Sequence, residues 1–173
     1  MKKSIFLVKS LMAFSILFVS CDDDNEIKCP DALTGELSTI ETDLTGTWVL
    51  SDIVSEDAID LTDDDTDNAS MDLYTQYTEC QKDISYEFDA DRSYAFLAGK
   101  SVADCDNEQE SVGTWGLSAT SVLTVVSNCS SQITNIEVND DSTAFTTNGN
   151  IQYVDVNGDV VISETTFTYS KVE

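Results

Sequence analysis

Gly46-Thr47-Trp48-Val49-Leu50-Ser51 is the stretch that decides the fold, and it nearly recurs as Gly113-Thr114-Trp115-Gly116-Leu117-Ser118. These two segments hold both tryptophans of the chain. In each, Gly lets a neighbouring backbone come close, and Trp and the Leu two places on share one face of a strand. Together they predict a closed all-β body in which Trp48 and Trp115 act as plugs.

The rest of the chain extends this reading. A first strand over 46–53 is followed by a long connection over 54–82, of the length expected for a lid or loop. It carries the acidic cluster 60–68 and then a segment with short-helix character at 69–77, for which Asn68 or Ser70 is the expected cap. Short strands separated by polar turns follow at 84–88, 93–97, 112–117, 122–127 and 133–138. Asn157-Gly158 is the strongest hairpin signal and suits a type I′ turn. Its flanks, 143–156 and 159–172, read as one long hairpin with a kink or bulge at Asn148-Gly149-Asn150. The count is eight strands in sequential antiparallel order, an up-and-down barrel with room for packed side chains or one small ligand. Upstream, Leu33, Leu37, Ile40 and Leu44 recur at helical spacing, and Pro30 with Asp31 suits a helix start or a linker turn.

The chain carries 33 acidic and 8 basic residues, a net charge of −25. That excludes nucleic acid and anionic lipid surfaces as partners. There is no histidine, so neither a Ser-His-Asp nor a Cys-His arrangement exists, and no carboxylate pair stands out as catalytic. No catalytic residue and no cofactor is expected. Asp63, Asp65 and Asp67 alternate like the start of a calcium loop, but the bidentate Glu such a loop needs is missing near Tyr74. A solvated acidic loop is the preferred reading, with weak calcium binding as the alternative.

Of five cysteines, Cys29, Cys80, Cys105 and Cys129 form an even set, and four cysteines allow three pairings. If the strands at 84–88 and 93–97 pair about their turn, Cys80 runs back toward the region past Gly99. Cys80–Cys105 is therefore the preferred bridge, which leaves Cys29–Cys129 to tie the N-terminal segment to the turn after 127.

Residues 1–20 read as a signal peptide: Lys2 and Lys3 precede an apolar run too short and broken to span a bilayer. Leu17-Phe18-Val19-Ser20-Cys21 resembles the lipobox of bacterial lipoproteins, which implies acylation of Cys21 and anchoring in a membrane. Removal of the leader takes away three lysines and no acid. The acidic run Asp22-Asp23-Asp24-Asn25-Glu26 then opens a tether over 21–43, ahead of a barrel domain over 44–173. Taken in order, Gly46-Thr47-Trp48, Cys80-Gln81-Lys82-Asp83, Tyr86-Glu87-Phe88, Cys105 and Gly113-Thr114-Trp115-Gly116-Leu117 resemble the lipocalin-like domain of Bacteroides- and Flavobacterium-type lipoproteins. The resemblance implies an eight-stranded barrel and an outer-membrane lipoprotein, displayed at the cell surface. Many lipocalins stack an Arg near the chain end on the first-strand Trp; here Lys171 is the only base in that region.

Tyr86, Phe88, Tyr94, Phe96, Phe145, Tyr153, Phe167 and Tyr169 could line a cavity or fill a core. The expected function is a monomeric, non-enzymatic carrier of a small apolar or amphipathic ligand. The alternative is a filled barrel that contacts another envelope protein or a glycan.

Overall fold

The alternation that begins at Gly46 continues well past 53. In a computed structural model that describes residues 28–172, it forms β1 (Gly46–Ile59). Trp48, Leu50 and Ile53 are buried along it, while Val49 and Val54 are exposed. The other strands are β2 (Ser70–Asp72), β3 (Ile84–Phe88), β4 (Ser93–Ala98), β5 (Gln109–Leu117), β6 (Val122–Ser127), β7 (Ser130–Asn135), β8 (Glu137–Val138), β9 (Ala144–Val154) and β10 (Val160–Lys171). Among the described residues, helix is limited to α1 (Thr39–Leu44), α2 (Glu79–Lys82) and a 3-10 turn at Tyr74–Gln76.

Around the sheet the order is β7–β6–β5–β4–β3–β1–β10–β9–β8, antiparallel throughout, and β2 adds to β1. This is an all-β, nearly closed barrel. Only Ile136 separates β7 from β8; β7 pairs with β6 and β8 pairs with β9. One kinked segment therefore spans most of the seam.

The two glycines of the opening motifs play different parts. A Cβ at Gly113 would overlap the Val126 carbonyl, so β5 and β6 approach as only Gly permits. Gly46 instead has φ of +123° and faces the Lys171 side chain.

Several local expectations are corrected. The first helix starts not at Pro30-Asp31 but after Ser38, where Glu41 reaches back to the Ser38 N–H in a capping box. The segment expected as a helix capped by Asn68 or Ser70 is β2 plus the 3-10 turn. The helix comes later, opened by the Thr78 and Gln81 capping box. There is no bulge at Asn148-Gly149-Asn150, because the β9–β10 register is continuous from Val154↔Val160 to Ala144↔Ser170. The register shift lies instead between Leu50 and Asp52 in β1. Gly158 alone of the Asn157-Gly158 pair has positive φ, and its N–H donates to the Asp155 carbonyl. The turn is thus a longer loop pinned by the Asp155 carboxylate, which accepts from the Asn157 and Asp159 N–H groups. The two-residue turn with both φ values positive, as type I′ requires, falls at Asn128-Cys129.

The structure contains both Cys29–Cys129 and Cys80–Cys105 disulfides. The first bridge makes the stretch from 28 to 38 a strap along the barrel, where the Leu33 N–H donates to Thr114 Oγ1. Cys21, the leader 1–20 and the acidic run 22–26 lie outside the described residues.

Candidate functional site

The interior is the first place to look, because alternation sends all eight expected lining aromatics toward it. Phe88, Tyr94, Phe145, Tyr153 and Tyr169 are buried, and Tyr86, Phe96 and Phe167 pack against them partly covered. Tyr86 is the hub, with ring centroids 5.0 Å from Tyr169, 5.3 Å from Phe96 and 5.9 Å from Phe88. Such pairs each add about 0.5–1.5 kcal/mol beyond area burial. Burial raises the pKa of the Tyr86, Tyr94 and Tyr169 phenols above the ordinary tyrosine value, so they stay neutral at any physiological pH.

Both ends of the barrel are capped. At one end Trp48 is fully buried, its Nε1–H donates to the Leu44 carbonyl at the end of α1, and Phe145 meets it edge-on at 5.2 Å. Lys171 Nζ lies 5.1 Å from the centre of the Trp48 ring and donates to the Asp43 carbonyl. Lys171 thus covers the Trp48 ring with a cation. Trp115 is equally buried, donates to the Asp89 carbonyl and packs 5.1 Å from Phe88. Across the opposite end lies the β1–β3 connection. Ile59 and Leu73 are buried in the core, Gln76 donates to the Ile59 carbonyl and accepts from the Leu61 N–H, and Tyr77 packs against the core.

A latch holds the N-terminal strap. Arg92, the chain's only arginine, is buried with φ of +70°. It donates to the Gly35, Glu36 and Trp115 carbonyls and to both oxygens of Glu41, the closest at 2.7 Å. Glu41 also accepts from the Leu117 N–H and from Ser38. Arg92 above all, aided by these N–H donors, lowers the Glu41 pKa from 4.5 to about 2. The sequence reading missed this latch, and the visible signals were a lone Arg in an acidic chain and the Ser38-x-x-Glu41 capping pattern.

Asp63, Asp65 and Asp67 share the rim of an open depression of about 410 Å³ with Asp60, Val156 and Asn157. Their carboxylates do not converge: among the described residues no group of three or more acidic, Cys or His side chains is placed to hold a metal. The ordering residue is Asp60, whose carboxylate accepts from Thr62 and from the Asn68 N–H and whose pKa these bonds lower.

What remains is a lateral split in the wall. The seam is zipped at one end by Glu137↔Thr146 and Val138↔Phe145. Beyond that point β7 pairs only with β6 and β9 only with β10. Beneath the split lies a cleft of about 40 Å³, floored by Tyr86, Tyr94, Leu123, Val125 and Phe145. Ile136 and the polar side chains of Gln132, Thr134 and Thr147 form its sides. That volume is on the order of one or two water molecules.

Comparison with curated proteins and with solved structures yields no match. A family described as "Domain of unknown function (DUF5004)" matches residues 22–172, which takes in the acidic run, the strap and the whole barrel. The chain belongs to the DUF5004 family.

Proposed function

We propose that this chain is a lipid-anchored, lipocalin-like module of the bacterial cell envelope. In this reading it works by contacting another envelope component and is not an enzyme. Counting β7 and β8 as one kinked stave gives the eight of the lipocalin-like reading. The observation that carries the module reading over the carrier reading is the packing. Aromatic side chains fill the interior, structure lies across both ends, and the interior cleft amounts to about 40 Å³. Pockets that bury a small organic ligand run to roughly 300 Å³ or more. The carrier reading keeps one supporting feature, the lateral opening over Tyr86 and Phe145, through which a small apolar group could enter.

Native mass spectrometry of the folded protein separates the two. Measured on the Cys21→Ala chain, which carries no acyl group at that position, the module reading expects the mass of the polypeptide with two disulfides and nothing more. A stoichiometric co-purifying small molecule would restore the carrier. The anchor is tested separately: Cys21→Ala is expected to move the protein from the membrane fraction to the soluble fraction, and retention in the membrane would remove the lipoprotein part of the proposal.

A further inference from the structure

We propose that the lateral split is a strand-acceptor site, which takes an extended segment of a partner protein that is free of acidic residues. The proposal deepens the interaction-module reading and rests on it. Three independent observations support it.

The first is the direction of the backbone groups. Across the two-residue turn at 128–129, Ser127 faces Ser130, and the ladder continues to Ile136 N–H on the Ser121 carbonyl. Antiparallel pairing alternates, so Ser130, Gln132 and Thr134 bond β6, while Ser131, Ile133 and Asn135 turn their N–H and C=O groups to the split. On the other side, Asp155 N–H bonds the Asp159 carbonyl and Lys171 N–H bonds the Thr143 carbonyl. The odd residues of β9 therefore bond β10, and Asn148, Asn150 and Gln152 turn toward the split. Two unsatisfied ladders face one another across it.

The second is charge. No charged residue lies between Glu110 and Glu137, or between Asp141 and Asp155, in a chain with a net charge of −25. Free edges normally carry Lys, Pro, a bulge or an inward charge that blocks pairing. β7 is exposed along its whole length, Ile133 is 71% exposed, and neither β7 nor the free stretch of β9 carries any of these devices. A neutral seam bounded by acidic surface suits an incoming strand without acids, because an unpaired carboxylate carried into the ladder would be costly. The same −25 charge opposes filling the split with a second copy.

The third is the cleft. Gln132 and Thr134 of β7 and Thr147 of β9 line it on either side, and its floor is apolar. A strand laid in the split would point every second side chain at that floor. A small apolar residue fits there, and main-chain bonds to both edges supply the affinity, as in other cases of strand addition.

The test is amide hydrogen exchange on the Cys21→Ala chain, which lacks only the acyl anchor. The probe is an acetylated and amidated six-residue peptide of alternating Thr and Val, with a Glu-Val peptide of equal length as the comparison. The expected result is about tenfold slower exchange at Ile133, Asn135, Asn148 and Asn150 with the Thr-Val peptide, and none with the Glu-Val peptide. Ile133→Pro and Asn150→Pro remove seam-facing N–H groups without touching the bonds to β6 or β10. They should abolish this protection while native amide protection elsewhere in the sheet is kept. The proposal is overturned if the Thr-Val peptide protects none of these amides, if both Pro variants still bind it, or if the amides are already protected in the free protein. Concentration-dependent protection without peptide would overturn it as well, in favour of self-pairing. None of these outcomes bears on the module reading, which fails only if a small molecule is found inside the barrel.

Discussion

Arg92 places all its donors. Its five hydrogen bonds reach three carbonyls and both oxygens of one carboxylate, and the pair is buried on both sides. Removing one partner leaves the other charged and stranded, which costs about 3–5 kcal/mol. Arg92→Ala should therefore lower stability by about that amount in urea unfolding. The pH dependence follows from the direction of the Glu41 shift. Its pKa is lowered in the folded state, from 4.5 to about 2. The stability it adds is therefore present above pH 4.5 and is lost as pH falls toward about 2. The stability gap between the native chain and Glu41→Gln should stay constant from neutral pH down to about 5 and shrink steadily below that. A gap that does not change with pH would mean that Glu41 acts through shape alone. Trp48 and Leu50 were legible in the sequence because alternation within one strand sets their facing. Arg92 was not, because its partners Gly35, Glu36 and Glu41 lie 51–57 positions away in the N-terminal segment.

The elements that decide access to the interior are the strap, the lid and the seam. The strap is stapled at one end by Cys29–Cys129 and latched at the other by Glu41. Closing a loop of 100 residues is worth about 4–5 kcal/mol in the chain-entropy model. Replacing both Cys29 and Cys129 by Ser should lower the unfolding midpoint accordingly while α1 stays docked through Arg92. Loss of the far-ultraviolet β signal in that variant would show instead that the strap is needed for folding itself. Most strands and both bridges could be read from the sequence, because alternation and turn residues are local signals, but the single strand expected at 133–138 is divided into β7 and β8 at Ile136. The lid could not. Its 69–77 segment has helical composition, yet Leu73 docks into the core, its N–H bonds the Ile53 carbonyl, and β2 pairs along β1. Tertiary pairing overrode local propensity there. The split was equally hidden, because whether β7 closes on β9 depends on the geometry of the whole barrel.

At the scale of the molecule, the barrel has a packed aromatic interior, covered ends and one uncharged opening in a surface that is otherwise strongly acidic. The packing makes it a rigid body, and the net charge of −25 opposes close approach of a second copy. The interior is occupied by the protein's own side chains, and in the proposed reading it takes no ligand. The most direct measurement is the fluorescence of N-phenyl-1-naphthylamine, an uncharged apolar dye, titrated into the Cys21→Ala chain at neutral pH. A filled barrel predicts no saturable rise in emission at equimolar dye. A saturable one-to-one rise with micromolar affinity, lost on Phe145→Ala or Tyr86→Ala, would contradict it and return the molecule to the carriers.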